Sequence, residues 1–374
     1  MSTRLPFARP TLDEETVTAV ASVIRSAWIT TGPNVAQFES DLSAYLGGRA
    51  VRTMTSGTAA LELALLTAGI GPGDEVVVPA MSFAASANVV LRVGARPVFV
   101  DVELASRNID VAKIAAAITP KTRAVMPVHF AGLPVDMDHL LAICSKYRLR
   151  LVEDAAHAIG TRWRGRRIGS FGDLTCFSFH PNKNMTTIEG GAIAFAIPAD
   201  CRLVDAERFH GIEKDADGNV DVVRAGGKYN LSDIAAVIGV RQLAQLDGFA
   251  ARRRELANLY FAEFGDHPPG VLPARGDDGH CWNMFTLLLP FGRLGMSRVA
   301  FIKAMSNHNI ALGIHYPCIP GLTAYRHLGF DPAQFPNALQ IGAETVTLPL
   351  FPTMANDDVR RVCDAIRQVL GTRA

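Results

Sequence analysis

The chain has no cysteine pairs at the spacing of a metal or redox motif. Its cysteines stand far apart in the sequence, and they are Cys144, Cys176, Cys201, Cys281, Cys318 and Cys363. Because none belongs to a CxxC pair, we expect no zinc or redox motif. We expect the cysteines to be buried, reduced thiols of a cytosolic protein. His, Cys and Asp residues form no cluster at ligand spacing either, so we expect no metal site.

Long apolar runs and an excess of one charge are also missing. No uncharged apolar stretch reaches the ~18 residues of a membrane span, and MSTRLPFARP at the start lacks the apolar core of a secretory signal. Lys plus Arg total 37 against 36 for Asp plus Glu, a formal net charge of +1. We therefore expect no binding to nucleic acid or membrane surfaces, and a cytoplasmic location.

The composition is that of an ordinary globular protein, with 49% hydrophobic and 20% charged residues among 374. Short β-branched runs recur at intervals of about 22 to 25 residues, with helical segments between them. These runs are DEVVVPA, RPVFVDV, RAVMPVHF and LRLVEDAA. The alternation is typical of βαβ units and predicts an α/β fold, a mostly parallel sheet with helices on both faces.

The pattern changes after residue 250. Candidate helices follow in GFAARRRELANLYFAEF, SRVAFIKAMSNH and NDDVRRVCDAIRQVL, the last with Asn356 as its N-cap. Candidate strands lie in NMFTLLLP, IALGIHYP and VTLPLF. We therefore predict a large domain with an N-terminal arm over residues 1–250, and a smaller α+β domain over residues 251–374.

Polar groups follow several predicted strands, at the place where ligands bind in an open parallel sheet. Ser56, Gly57 and Thr58 open a predicted helix, and such a group either binds a phosphate or simply caps the helix. Asp154 comes directly after a buried run and is either a site residue or the cap of the next turn. His157 would face the same way if a helical turn begins there.

A further group surrounds Lys183, just beyond the strand-like LTCFSFH, in which Ser178 and His180 share one face. Most lysines are solvated surface charges. Here the order of the groups points to pyridoxal phosphate. The aldehyde of this cofactor needs an amine, and its pyridine nitrogen needs an acid such as Asp154. Its phosphate needs a helix N-terminus. Phe83, after the strand EVVVP, would offer its ring an apolar face.

Six motifs stand in order along nearly the whole chain, and they are WITTGP (28–33), TSGTAAL (55–61), VEDAAHAIGT (152–161), FSFHPNKNMTTIEGG (177–191), GGKYNLSDI (226–234) and LPLFP (348–352). They resemble the motifs of the DegT/DnrJ/EryC1/StrS family of sugar aminotransferases, which have the aspartate-aminotransferase-like fold of type I pyridoxal-phosphate enzymes. The resemblance implies transfer of an amino group from glutamate, by way of pyridoxamine phosphate, to a keto carbon of a nucleotide-linked sugar. The co-product would be 2-oxoglutarate.

The resemblance also implies a role for each candidate residue. Lys183 would bond to the aldehyde and later move a proton between substrate and cofactor, and Asp154 would pair with the pyridinium nitrogen. Further cofactor contacts would come from Ser56, Gly57, Thr58, Phe83, His157, Ser178 and Asn230. Asn230 would reach the phosphate in the neighbouring subunit, which implies a homodimer with shared active sites. The substrate-side groups would be Thr30, Thr31, His180 and His315.

Within the family, the chain is most similar to the subgroup that makes UDP-4-amino-4-deoxy-L-arabinose. SAWITTGP, EDAAHAIGT and KYNLSDIAAVIGVRQLAQLD carry that likeness. The chain departs from the subgroup at Phe83, where Trp is expected, at Pro181 and Asn182, and in its shorter loop 211–227. Amination at C4 is therefore the expectation, with C3 or another nucleotide sugar as the alternative.

Two other questions stay open at this stage. A regulator that binds the cofactor or a nucleotide sugar without turnover is the alternative of a different class. Relatives that use pyridoxamine phosphate to deoxygenate sugars carry His in place of the lysine, so Lys183 argues against that activity. His129, in PVHFAG, follows a predicted strand and either packs in the core or approaches the site.

Overall fold

The computed structural model describes residues 4–371. Thirteen strands form within that part of the chain. In chain order they are β1 Ala50–Met54, β2 Glu75–Pro79, β3 Arg96–Val100, β4 Thr122–Val125, β5 Arg150–Asp154, β6 Arg162–Trp163, β7 Arg166–Arg167, β8 Leu174–Ser178, β9 Gly191–Phe195, β10 Ile212–Lys214, β11 Val220–Val222, β12 Phe285–Leu288 and β13 Thr345–Leu348.

Helices connect most of these strands. In chain order they are α1 Glu14–Arg25, α2 Pro33–Tyr45, α3 Gly57–Thr67, α4 Ala85–Arg92, α5 Val111–Ala117, α6 Met137–Tyr147, α7 Asp200–Glu207, α8 Asp233–Phe264, α9 Phe291–Leu294, α10 Arg298–Asn307, α11 Thr323–His327, α12 Pro336–Glu344 and α13 Asn356–Leu370. Among residues 4–371, no helix combines the length and the apolar character needed to cross a bilayer.

Seven strands form the main sheet, in the order β1-β9-β8-β5-β4-β2-β3. The pairs from β8 to β3 are parallel, whereas β9 pairs antiparallel with both of its neighbours. The predicted α/β fold with a mostly parallel sheet is thus confirmed. Because β1 runs in the same direction as β8, the carboxyl ends of β1, β2, β4, β5 and β8 all lie at one edge of the sheet.

The sheet is buried on both faces. Val76 and Val78 of β2 belong to one apolar cluster, while Val77 between them belongs to another. Alternate side chains of a strand point to opposite faces, so these clusters lie on the two sides of the sheet. Near-continuous apolar strands such as EVVVP are the form that double-sided burial demands.

A third apolar cluster is built from the C-terminal part of the chain and includes Leu5 from the N-terminal arm. Helix α8 joins this cluster to the main sheet. Its Leu246 packs in a cluster of the sheet, and its Leu256 packs in the C-terminal cluster. The domain boundary predicted at residue 250 therefore falls inside one continuous helix, at the point where its buried side chains change partners.

Two local predictions in the C-terminal part are wrong. Ala355, not Asn356, occupies the N-cap position of α13, and Asn356 is the first helical residue. Residues 310–317 form no strand, because only the single bridges at Ile310 and Gly313 pair this segment with other chain segments. The expectation that the cysteines are buried and unpaired is confirmed, since all six are free and buried.

Asp233 holds the start of α8 against the start of α2. Helix α2 has Gly32 at its N-cap and no side-chain cap of its own. The fully buried carboxylate of Asp233 accepts from the backbone N–H groups of Asn34 (3.1 Å) and Val35 (3.0 Å), and from the Asn34 side chain (3.0 Å). Asp233 thus satisfies donors that a helix N-terminus leaves unpaired.

We expect Asp233→Ala to destabilise the protein, because it leaves those buried donors without an acceptor. The loss should be about 3 kcal/mol, which would lower the apparent melting temperature by about 5 °C. Differential scanning fluorimetry of the variant would measure it. Asp266→Ala, at an exposed position after α8, is the matched control and should melt like wild type. Equal melting temperatures for the two variants would contradict the capping role.

Candidate active site

A cavity of about 380 Å³ lies at the carboxyl edge of the sheet. It gathers residues from the ends of β1, β2, β5 and β8, which are far apart in the sequence. The predicted site residues in its lining are Ser56, Gly57, Thr58, Phe83, Asp154, His157, Ser178, His180, Lys183 and His315. The fold therefore brings most of the predicted set to one place.

The N-terminus of α3 forms one end of the cavity. Ser56 is the N-cap, and its hydroxyl accepts from the Ala59 N–H at 3.1 Å. Gly57 allows the helix to approach β8, since a Cβ at this position would lie 2.7 Å from the Ser178 Cβ. Ser56 is a cap and a lining residue at once. The helix dipole and the free N–H groups here favour an anion.

Asp154 presents a buried carboxylate at the end of β5. Its Oδ2 accepts from the Ser86 hydroxyl at 2.7 Å, and its Oδ1 accepts from the Ala156 N–H at 3.1 Å. Burial raises the pKa of Asp154 above its ordinary value, while the Ser86 bond opposes that rise. A carboxylate has about four acceptor positions, so this one retains capacity for a donor inside the cavity.

Lys183 projects from the turn after β8 into the same cavity. Burial lowers the pKa of Lys183 to about 8, and the nearby charge of Asp154 works in the opposite direction. A substantial fraction of this amine is therefore neutral near physiological pH, whereas an ordinary lysine is almost wholly protonated. A neutral amine is a nucleophile and a proton acceptor.

His157 and Tyr316 form a stacked pair on the cavity wall, with ring centroids 6.0 Å apart. His157 Nδ1 accepts from the Ala131 N–H at 3.3 Å, so Nε2 carries the hydrogen and faces the Tyr316 hydroxyl at 3.4 Å. Burial lowers the pKa of His157 well below its usual range, so the ring is neutral. Phe83 stands beside this pair, its ring 5.7 Å from that of Tyr316.

His315 and His180 differ in their surroundings. His315 is buried, its Nδ1 lies 2.7 Å from the Thr347 hydroxyl, and burial lowers its pKa to about 4. His180 is exposed at the mouth of the cavity, where its Nδ1 lies 2.7 Å from Asn182 Oδ1. Glu189 also lines this mouth. The His157 and His315 rings on the inner wall are therefore neutral, whereas His180 and Glu189 stand at the mouth.

Three predicted residues lie outside the cavity. Thr30 and Thr31 follow the exposed Trp28, and Asn230 precedes α8. Asn230 Nδ2 donates to the Thr31 hydroxyl at 2.6 Å, and that hydroxyl donates to the Leu231 carbonyl at 2.7 Å. These residues form a separate polar cluster at the surface, which we call the Asn230 cluster.

His129 packs in the core beneath the site. Its Nδ1 accepts from the Val135 N–H at 3.1 Å, so its Nε2 donates to Glu153 Oε2 at 3.0 Å. Thr175 donates to the other oxygen of Glu153 at 2.9 Å. All three side chains are fully buried. Of the two interpretations left open for His129, the packing role fits this arrangement.

Sequence reasoning missed Ser86, Ser82, Tyr316 and Glu189. Ser86 holds Asp154, and Ser82 lies 3.0 Å from the Ser86 hydroxyl. A signal existed for Ser86, which stands one helical turn after Phe83 in FAASAN. Tyr316 directly follows the predicted His315. Its burial, and the stacking on His157, depend on contacts that no local spacing reveals.

The residues present fit pyridoxal phosphate. The N-terminus of α3 suits a phosphate, and Gly57 fills a place where any Cβ would collide with Ser178. Asp154 retains acceptor positions for a protonated ring nitrogen, and Lys183 offers a neutral amine for the aldehyde. No comparable fit exists for a metal, since residues 4–371 contain no group of three or more His, Cys, Asp or Glu side chains placed to bind one.

Similarity to known proteins agrees with this chemistry. The spore coat polysaccharide biosynthesis protein SpsC of Bacillus subtilis is 38% identical over 380 residues, covering 98% of this chain and 97% of that protein. The putative sugar aminotransferase Spr1654 of Streptococcus pneumoniae, in its PMP form, has a TM-score of 0.93 at 33% identity over 98% of each chain. Its PLP form has a TM-score of 0.92 at 32% identity, covering 98% of this chain and 99% of that one.

The match extends to more distant structures and to the family as a whole. PseC of Helicobacter pylori, an aminotransferase involved in the biosynthesis of pseudoaminic acid, has a TM-score of 0.93 at 25% identity, covering 99% of this chain and 100% of its own. Residues 10–367 match the DegT/DnrJ/EryC1/StrS aminotransferase family. The chain belongs to that family, as its motifs predict, and it is a sugar aminotransferase whose cofactor is pyridoxal phosphate.

Proposed function

We propose that this protein transfers the amino group of glutamate to the C4 keto carbon of a nucleotide-linked sugar. The observation that carries the proposal is the convergence of Lys183, Asp154 and the N-terminus of α3 on one cavity. Each group meets a different requirement of the cofactor, and the fold places them together at the carboxyl edge of the sheet. C3 amination, or another nucleotide sugar, is the alternative within the same chemistry.

Pyridoxal phosphate, when bound, supplies an electron sink that stabilises negative charge at a substrate carbon. The chain's own residues do the rest. The carboxylate of Asp154 would keep the ring nitrogen protonated, and Ser86 would hold that carboxylate in place. Ser56, Gly57, Thr58 and Ser178 would bind the phosphate, because the dipole of α3 favours negative charge at that end.

Lys183 would act first as a nucleophile and then as the base and acid that moves a proton at the substrate carbon. A group with a pKa near the working pH is suited to both directions of transfer. The burial that lowers the Lys183 pKa to about 8 therefore serves catalysis. Because the inner wall is apolar or neutral around Tyr316, His157 and His315, the exchange would be shielded from water.

The substrate would enter past His180 and Glu189, which stand at the mouth of the cavity. Phe83 is 56% exposed there and offers an apolar face to the cofactor ring. The likeness to SpsC, named for spore coat polysaccharide, and to PseC, named for pseudoaminic acid, supports an amino-sugar product destined for a polysaccharide or lipopolysaccharide.

The active site would be completed by a second copy of the chain. Among the described residues that line the cavity there is no arginine, although a phosphate, a nucleotide and a dicarboxylate donor must bind there. The Asn230 cluster offers polar groups and the amine of Lys228, which bonds to Asn230 Oδ1. Trp28 and Ile29 beside it are 59% and 49% exposed, as expected of an interface that is uncovered in a single chain. We therefore expect a cytoplasmic homodimer in which Asn230, Thr30 and Thr31 serve the neighbouring site.

The first prediction concerns the pH at which Lys183 becomes reactive. When apoprotein is mixed with pyridoxal phosphate, the rate of covalent attachment should rise with pH around a midpoint near 8, because only the neutral amine attacks. Stopped-flow absorbance at saturating cofactor would measure it. Asp154→Asn should move the midpoint lower, since the carboxylate's charge raises the Lys183 pKa. A midpoint near the ordinary 10.5 would contradict the buried, neutral amine.

The second prediction tests the shared site by complementation. Lys183→Ala and Asn230→Asp should each be inactive, the second because it opposes a carboxylate to the phosphate. After the two are unfolded together and refolded, mixed dimers would carry one intact site, so about a quarter of wild-type activity should return. Each variant refolded alone is the control. No recovery, with both variants folded and dimeric, would show that Asn230 does not act across the interface.

The third prediction concerns the reaction. Wild-type protein with pyridoxal phosphate and glutamate should convert the cofactor to pyridoxamine phosphate, seen as a loss of visible absorbance, and should then aminate 4-keto-sugar nucleotides from a panel. Mass spectrometry would detect the product, and NMR would place the nitrogen on C4.

Lys183→Ala should lose at least about 10³-fold of this activity. Lys183→Arg, which keeps a cation but offers no neutral amine, is the matched control and should be equally inactive. Normal turnover by either variant would contradict the catalytic role assigned to Lys183. An unchanged spectrum of the wild type with glutamate would instead favour a binding protein without turnover.

A further inference from the structure

Lys183 is flanked by two asparagines whose positions are set from another part of the fold. Residues 281–283 lead into β12, in the C-terminal part of the chain, and cross the turn that carries Lys183. Asn283 is 4% exposed. Its Nδ2 donates to the backbone oxygen of Asn182 at 3.2 Å and to Oδ1 of Asn184 at 2.9 Å. We call these three asparagines the Asn283 clamp.

In the Asn283 clamp, the Asn283 side chain bonds to the residues on both sides of Lys183. An Asn side chain has two amide hydrogens, and here one goes to the residue before Lys183 and the other to the residue after it. Asn184 continues the chain of bonds, because its Nδ2 donates to Cys281 Sγ at 2.7 Å and to the Cys281 carbonyl at 3.3 Å. The turn is therefore held at two points by residues 281–283.

Asn283 is itself fixed from its other side. Its backbone N–H donates to the Ala131 carbonyl at 2.8 Å, beside the loop that also contacts His157. Its carbonyl accepts from Arg253 Nη1 at 3.3 Å, and the same guanidinium nitrogen donates to the Leu350 carbonyl at 2.8 Å. Arg253 is a buried side chain of α8, the helix that joins the two parts of the chain.

Segment 281–283 is closely packed where it crosses the lysine turn. A Cβ at Gly132 would lie 2.6 Å from Cys281 Sγ and 3.2 Å from the Asn283 backbone nitrogen. Close packing of this kind leaves segment 281–283 little freedom to shift without moving the lysine turn as well. The position of the C-terminal part is thereby tied to the position of Lys183.

We propose that Asn283 is a positioning residue for Lys183. Through Asn182 and Asn184 it orients the lysine amine toward the place that the aldehyde carbon of the cofactor would occupy in the cavity. The inference rests on the proposed role of Lys183 as the group that bonds to the cofactor. Small errors in the aim of a reacting group cost rate rather than binding affinity, and this difference provides the test.

The experiment measures attachment of pyridoxal phosphate to full-length apoprotein by stopped-flow absorbance across a range of cofactor concentrations. In Asn283→Ala, the limiting first-order rate at saturation should fall about 10- to 100-fold. The half-saturating concentration should stay within about twofold of wild type, because the phosphate and ring contacts of the cavity are intact. The pH midpoint of attachment should not change, since Lys183 stays buried.

Thr286→Val is the matched control on β12. The Thr286 hydroxyl is buried without a partner among residues 4–371, so its isosteric replacement keeps the strand packed and should leave both constants unchanged. Asn184→Leu removes the Oδ1 that accepts from Asn283 and should lower the limiting attachment rate as Asn283→Ala does. This second variant keeps the proposal testable if Asn283→Ala does not fold.

The outcomes separate this proposal from the one on which it rests. An attachment rate within twofold of wild type in a folded Asn283→Ala or Asn184→Leu variant overturns the clamp while leaving the Lys183 assignment intact. A rate and a half-saturating concentration that worsen in parallel also overturn it, because they indicate general loosening of the cavity. Failure of wild-type protein to attach the cofactor at all, or attachment by Lys183→Ala, overturns both proposals.

Discussion

Asp154 is a carboxylate buried at the end of a central strand, and the site depends on how its charge is tolerated. Removing a carboxylate from water is costly unless donors replace the lost hydration. The fold supplies a hydroxyl from Ser86 and a backbone N–H from Ala156, both of which come from elements that follow parallel strands. These donors do not exhaust the acceptor positions, so the carboxylate remains able to bind a cationic ring nitrogen. A carboxylate whose acceptor positions were all occupied would have no electrostatic preference for a protonated pyridine.

The same burial has an opposite effect on Lys183. Low polarity disfavours both charged forms, raising the pKa of the acid and lowering that of the amine. Their mutual attraction limits each shift without cancelling it. Exclusion of water thus favours the neutral amine that amino transfer requires of Lys183. For Asp154 the ionised form is favoured instead by the bonds from Ser86 and Ala156 and by the charge of Lys183, which oppose the effect of burial. The neutral rings of His157 and His315 share the same environment.

Much of this arrangement could be predicted from the sequence, because the chemistry sits at strand ends. Lys183, Asp154 and Ser56 each follow an apolar run, and parallel strands bring such positions to one edge. Ser86 and Asn283 could not be predicted this way, since their partners are set by how helix α4 and segment 281–283 pack against distant strands. Residues 310–317 alternate like a strand but lack a ladder partner. The predicted helix GFAARRRELANLYFAEF begins at Gly248, whereas α8 begins at Asp233 and continues through this glycine. A Cβ at Gly248 would meet no atom within 4 Å, and a glycine on such an open face need not interrupt a helix that is held by packing on its other side.

Helix α8 spans 32 residues, about 48 Å at the usual rise of an α-helix. Its first turn adjoins the Asn230 cluster, and its middle carries Arg253, which steadies the crossing over the lysine turn. In the proposed dimer, the first turn of α8 would serve the neighbouring subunit's centre, and Arg253 would serve the centre of its own subunit. A stiff rod between them cannot tilt at one end without displacing the other. A proline introduced between these two points would kink the helix and disturb both places at once.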